Sequence, residues 1–190
     1  MTSIGEFAFF GCHALIDDDE DGFIVWRGWL LGYREDATDE IDGLDEIVNV
    51  VGGALTGCKS IKRLEFSAAS KLKSIGAAAF KECTELQMMT LPPALQAIGD
   101  EAFMGCSYLS NVIIPGNVRT IGARAFKNCT GFTAALIEHG VKSIGEECFY
   151  GDWQIAEVDL PSTVATIGKN SYSVIQLRVM QLWLKMEKKQ

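Results

Sequence analysis

Apolar positions return along this chain with a period of 23 residues. The pair Ile-Gly recurs at Ile75, Ile98, Ile121, Ile144 and Ile167. Each anchor leads into the same order of small, aromatic and apolar residues, as in Ile75-Gly76-Ala77-Ala78-Ala79-Phe80-Lys81-Glu82-Cys83-Thr84-Glu85-Leu86. One column is aromatic: Phe80, Phe103, Phe126, Phe149 and Tyr172. Another, six residues on, is Leu86, Leu109, Phe132 and Ile155. Both columns are expected in the core. A third group, Leu-x-x-Met-x-Leu at 86–91 with equivalents at 109–114 and 155–160, has the alternation of a short strand buried on one face. These strands are expected to pair in parallel, coil on coil. Pro92, Pro115 and Pro161 follow them directly, where the missing N–H and fixed φ end pairing and turn the chain. The glycine after each anchor suits a tight bend, which needs positive φ, or close packing of coils.

The same frame extends backward. Val50-Val51 with Ala54-Leu55-Thr56-Gly57-Cys58 fits it, given two extra residues in the turn Ser67-Ala68-Ala69-Ser70. Ile4-Gly5-Glu6-Phe7-Ala8-Phe9-Phe10-Gly11-Cys12 fits as well, although it lacks the strand and turn that should precede it. A fixed period in this range marks a solenoid whose units cannot bury their apolar faces singly. The organisation expected is one repeat domain over 1–190: a partial N-terminal coil at 1–15, an insert at 16–45, coils over 46–173 and a C-terminal capping helix over 174–190. The insert breaks the period, and Phe23-Ile24-Val25-Trp26-Arg27-Gly28-Trp29-Leu30-Leu31-Gly32-Tyr33 reads as a hairpin turning near Arg27-Gly28. The cap is read from a polar stripe at Arg178, Gln181, Lys185 and Lys188 in an otherwise apolar segment. A membrane-surface helix is the other reading of that segment.

The pattern Ala-Phe-x-x-Cys-x-x-Leu, followed by apolar-x-apolar-Pro-x-x-Val-x-x-Ile-Gly, resembles the BspA-like type of leucine-rich repeat over most of residues 1–173. It lacks the asparagine ladder of the commoner leucine-rich consensus. The resemblance implies a right-handed curved solenoid of short parallel strands, turns and short helical segments, a mixed α/β fold. It further implies a part of larger surface-associated or secreted proteins that bind other proteins, with no catalytic residues.

Charge and cysteine usage narrow the picture. The net charge is −8, with 25 acidic residues against 17 basic ones, and no basic stripe is available for phosphates, so a nucleic-acid partner is not expected. No apolar run reaches the roughly 18 residues of a membrane span, and no signal-peptide core opens the chain. The chain as given is therefore cytoplasmic by default, whereas the resemblance points to a surface or secreted location for a longer protein. Cys12, Cys58, Cys83, Cys106 and Cys129 share one slot and read as a ladder of small core residues. Stacked equivalents step apart by about 4.8 Å per coil, which cannot converge four ligands on zinc. Neighbouring rungs such as Cys83 and Cys106 could meet the spacing of a disulfide, although reduced thiols are expected. Cys148 stands instead in the slot of Ala79, Ala102 and Ala125, and is expected to be buried.

No enzyme is expected. The two histidines, His13 and His139, lie several coils apart and cannot share one site; either could pair with a nearby cysteine, but those cysteines belong to the core column and no electropositive surround lowers a thiol pKa. No cofactor motif is present. Asp17-Asp18-Asp19-Glu20-Asp21-Gly22-Phe23-Ile24 matches the start of a calcium loop, but Gly28 stands where the bidentate glutamate belongs, so calcium binding is expected to be weak and a solvated acidic loop is the simpler reading. The expected function is non-catalytic protein binding through the outward positions of the strands. One outward column is Arg63, Met88, Asn111, Ala134 and Glu157. The other is Glu65, Thr90, Ile113, Leu136 and Asp159. The centre of this face, Met88, Asn111, Ile113, Ala134 and Leu136, is the candidate partner site. The alternative is a structural spacer within a larger repeat protein.

Overall fold

The computed structural model describes residues 23–33, 44–155 and 157–172, with the side chains of 157–159 left out. The partial coil expected at 1–15, the acidic loop expected before Phe23 and the capping helix expected over 174–190 fall outside the described residues.

A coil begins with a two-residue strand at the Ile-Gly anchor. These strands are β3 (Asn49–Val50), β5 (Ser74–Ile75), β7 (Ala97–Ile98), β9 (Thr120–Ile121), β11 (Ser143–Ile144) and β13 (Thr166–Ile167). They stack in parallel, each one coil from the next. Ahead of them comes the hairpin of β1 (Phe23–Trp26) and β2 (Trp29–Tyr33), in which β2 runs parallel to β3 and completes an eight-stranded sheet. Arg27 (φ 48°) and Gly28 (φ 78°) form its turn; two positive φ values in succession match the right-handed twist of paired strands. The Arg27 guanidinium lies 5.0 Å over the Trp26 ring.

The other strands form a separate side of the coil. In chain order they are β4 (Arg63–Glu65), β6 (Met88–Thr90), β8 (Asn111–Ile114), β10 (Ala134–Ile137) and β12 (Glu157–Asp159). Their alternating burial follows the alternating sequence: Leu64, Met89, Val112 and Ala135 point inward. β8, β10 and β12 make one parallel sheet and β4 with β6 another, so the face is divided between β6 and β8. The two-residue insertion falls in the turn between the two sides. Before it Arg63 pairs with Met88, an offset of 25, and after it Ser74 pairs with Ala97, an offset of 23.

The third side is a ribbon of turns. Where the resemblance implies short helical segments, the described residues hold only a three-residue 3-10 helix at Leu44–Glu46. The reason is a pair of left-handed residues in each coil. Ala78, Glu101, Arg124, Glu147 and Asn170 fill one column at φ between 52° and 56°, and Glu82 and Asn128 join Gly57, Gly105 and Gly151 in the other. A left-handed residue cannot continue an α-helix. Alternate N–H groups instead reach the next coil, as Ala78 to Asp100 O, Phe80 to Ala102 O and Glu82 to Met104 O, each at 2.7 Å. The residues between donate to their own coil three positions back.

The anchor glycines serve packing, and the expected bend is absent from them. None of Gly76, Gly99, Gly122, Gly145 and Gly168 has positive φ. A Cβ on Gly99 would stand 2.6 Å from Ala77 N, and one on Gly122 would strike the backbone of Gly99 and Asp100. Backbone cannot yield as a side chain can, so only glycine fits.

The core runs the length of the stack. Phe80, Phe103 and Phe126 are wholly buried, Phe149 nearly so, and successive rings lie 5.1, 5.3 and 5.5 Å apart, stacked within 5° of parallel. Tyr172 continues the column at 5.3 Å. Leu86, Leu109, Phe132 and Ile155 lie beside it, all buried. Cys58, Cys83, Cys106, Cys129 and Cys148 are free and buried; no disulfide joins Cys83 to Cys106. The ladder is more polar than small apolar residues would be, because three of its thiols donate to a carbonyl of the preceding coil: Cys83 to Leu55 O at 3.0 Å, Cys106 to Phe80 O and Cys129 to Phe103 O at 3.2 Å. Burial pushes the Cys106 thiol up to about 12 and those of Cys83 and Cys129 well above the ordinary range.

Candidate functional site

The outward residues of β6, β8 and β10 form the most apolar part of the strand side. Met88, Ile113 and Leu136 are exposed to 53%, 55% and 43%, against the 9% or less of the inward residues between them. The cause is geometric: a strand buried on one face must turn every second residue outward. Register then sets the neighbours. Ile113 pairs directly with Leu136, and Asn111 with Ala134, while Met88 stands across the division between β6 and β8. A single backbone link from Ser110 N to Gln87 O, 3.2 Å, leads into that division. Asn111 is held in place, since its Oδ1 accepts from Thr133 Oγ1 at 2.7 Å.

The ends of the face are charged. Arg63 and Glu65 are exposed on β4. At the other end the backbones of Glu157 and Asp159 pair with Ala134 and Leu136, and their side chains lie outside the described residues. Tyr108 and Trp153, exposed to 59% and 66%, are the other large exposed apolar groups on the described coils. Both follow the cysteine slot within the turn, one residue apart in frame, and no strand alternation marked them.

Two open clefts flank the same strands at the proline turn. The first, about 340 Å³, is lined by Pro93, Pro115, Asn117, Arg119 and His139; the second, about 400 Å³, by Leu136, Leu160, Pro161 and His139. They meet where Glu138 occupies the slot that Pro92, Pro115 and Pro161 fill in other coils. The polar groups there are largely engaged with backbone. Glu138 Oε2 accepts from Gly116 N at 3.0 Å, Arg119 donates to Gly140 O at 3.3 Å, and Asn117 donates to Pro93 O at 2.8 Å. A cleft whose charges already have partners offers shape more than chemistry.

The turn ribbon carries a ladder of ion pairs. Glu101 accepts from Lys81 of the preceding coil and Arg124 of the following one, both at 2.9 Å, and Glu147 accepts from Lys127 at 2.7 Å. The hydrogen bond from Lys81, aided by Arg124 against the effect of burial, holds the Glu101 carboxyl below its usual value. Glu101 and Glu147 are left-handed residues, so the strained backbone positions also tie the coils together.

Nothing in this arrangement assembles a nucleophile, base and orienting group among the described residues. Among the described residues, no three His, Cys, Asp or Glu side chains are grouped so as to hold a metal, and no helix is long and apolar enough to cross a membrane. His139 lies at the meeting of the two clefts, and His13 lies outside the described residues.

Solved structures share the coil stack. A leucine-rich cell surface protein of Faecalibacterium prausnitzii A2-165 is 28% identical with a TM-score of 0.60, over 67% of this chain and 34% of that one. A leucine-rich repeat protein of T. pallidum is 27% identical with a TM-score of 0.61, over 75% of this chain and 73% of that one. One from Bacteroides ovatus ATCC 8483, at 23% identity and a TM-score of 0.67, shares the fold over 82% of this chain and 43% of its own. This chain thus spans about a third of the length of the F. prausnitzii protein. No curated protein matches it. The model of the BspA-type leucine-rich repeat region matches residues 47–180 in six copies, the same residues that carry the stacked rings, the cysteine rungs and the paired anchors, and the chain belongs to that family.

Proposed function

We propose that this chain is a non-catalytic protein-interaction solenoid whose partner, a protein, docks on the outward face of β6, β8 and β10. The observation that carries the reading is the cluster of Met88, Ile113 and Leu136, exposed on adjacent coils around Asn111 and Ala134 and bounded by charge at the β4 end. An apolar centre with a polar rim is the anatomy of a protein interface. The clefts beside Leu136 extend that surface toward Pro115 and Pro161.

The reading includes a capping helix over 174–190 that shields the last coil, and an insert at 16–45 closing the other end, since open solenoid ends expose core. It also includes display on or outside a cell surface, supported by the similarity to the F. prausnitzii cell surface protein. The test is recovery of partners from the native cell's extract by the intact chain and by an Ile113→Glu, Leu136→Glu variant with an unchanged circular dichroism spectrum. Loss of a specific partner from the variant supports the face; equal recovery refutes it. A spacer role within a longer repeat protein is the second reading, favoured by the short span of this chain against the F. prausnitzii protein. Recovery of no partner by either chain points to it.

A further inference from the structure

The cysteine ladder does not end at Cys129. The next rung, 23 residues on, is Asp152. It is buried as the thiols are, at 2% exposure, and neither carboxylate oxygen has a hydrogen-bond partner among the described residues. A buried ionised carboxylate without a partner is among the costliest groups a core can hold.

The rungs below show what the slot requires. Each thiol at Cys83, Cys106 and Cys129 donates its hydrogen to the carbonyl three residues before the rung of the preceding coil. The corresponding acceptor for Asp152 is Phe126 O. A protonated carboxyl has a hydrogen to place there, and a carboxylate has none. The slot is therefore built for a donor, and Asp152 satisfies it only in its neutral form.

We propose that Asp152 makes the coil from Ile144 to Ile167 a pH-responsive element: the neutral carboxyl keeps it closed, and the ionised carboxylate, lacking a partner in the core, draws in water and opens it. Among the described residues, the groups around it offer no cation. Those in electrostatic reach are Cys129 of the preceding coil and Cys148 of its own, and Cys148 in turn faces Tyr172 of the following coil. Burial keeps all three neutral well into the alkaline range. The Tyr172 hydroxyl is itself buried without a partner among the described residues, so successive coils at this end of the core each hold an unsatisfied polar side chain. Burial pushes the Asp152 carboxyl up to about 8, with the Cys129 amide pulling weakly the other way. That amide also donates to Phe126 O at 3.3 Å, so the carboxylate has at most a share of one N–H.

The direction follows from linkage. A carboxyl with a folded value near 8 and an unfolded value of about 3.9 binds its proton more tightly in the closed coil. Its contribution to stability is complete below about pH 4, falls steadily as pH rises, and is gone above the folded value. The coil tightens in acid and loosens toward neutrality.

Hydrogen exchange by mass spectrometry on the full chain, corrected for intrinsic rates, tests this between pH 5 and 7. Peptides from 145–160 should show an opening constant that rises by close to tenfold per pH unit. The slope should vanish in Asp152→Asn and in Asp152→Cys, which restores the thiol rung and keeps the test open if the asparagine variant does not fold. Peptides from 75–121 should be unaffected in all three proteins. An unchanged slope in either folded variant, or an equal slope in the central coils, would overturn the proposal.

Discussion

Replacing Phe103 by alanine removes a ring that is fully buried and stacked on both faces, 5.1 Å from Phe80 and 5.3 Å from Phe126. Truncating a buried phenylalanine costs about 3 to 5 kcal/mol, the spread reflecting how far the site can collapse. Here collapse is opposed from both sides. Phe80 N is tied to Ala102 O and Phe103 N to Ala125 O, each at 2.7 Å, so the coils cannot close over the gap without breaking backbone bonds. Each lost ring contact adds roughly 0.5 to 1.5 kcal/mol beyond simple burial, which places the expected cost toward the upper end. In a chain of this size a kcal/mol moves Tm by roughly 2 to 4 °C, so the fall should be on the order of 15 °C. Coils of a solenoid touch only their neighbours, and a cavity in the middle should also broaden the transition by uncoupling the two halves. The assay is thermal denaturation followed by circular dichroism, with Tyr108→Ala, an exposed ring, as the control expected within about 0.5 kcal/mol of the parent. A Phe103→Ala protein that melts within 2 °C or so of the parent would refute the stacked column as the source of stability.

The glycines give a sharper contrast. Gly122→Ala places a Cβ into the backbone of Gly99 and Asp100 and should cost on the order of 3 kcal/mol or more, whereas Gly105→Asn, in a left-handed column that Asn128 already occupies, should cost about 1 kcal/mol at most. Equal melting shifts for the two would contradict the packing account. For the thiols, with Cys106 pushed up to about 12, only about one in ten thousand is ionised at pH 8. Peptide mapping after brief iodoacetamide treatment should find Cys83, Cys106, Cys129 and Cys148 unlabelled until denaturant is added, and rapid labelling of Cys106 in the native protein would count against the ladder.

Much of this molecule was legible in its sequence because the same environment recurs every 23 residues. Phe80 to Tyr172 and Leu86 to Ile155 fell in the core for that reason, and the alternation around Met89, Val112 and Ala135 identified which strand residues face outward. What escaped depended on contacts between coils. The Ile-Gly anchors are strands in their own right, but two residues are too few to show alternation. The left-handed positions at Glu101, Arg124 and Glu147 carry no glycine to announce them. The division between β6 and β8 and the clefts around Glu138 arise only on stacking. Asp152 was hidden because cysteine and aspartate look unrelated until one is seen on the other's rung.

The turn ribbon has one more effect. Alternate N–H groups in it bond from coil to coil, and the rings it covers are spaced at 5.1 to 5.5 Å. A horseshoe arises when helices about 10 Å wide on one flank are stacked against strands about 4.8 Å apart on the other. Here the described residues of the turn flank hold no α-helix, which removes that source of wedge. A partner would meet equivalent side chains offered once per coil, and lengthening the stack by a coil would add one more mark to that scale without changing the register of the others.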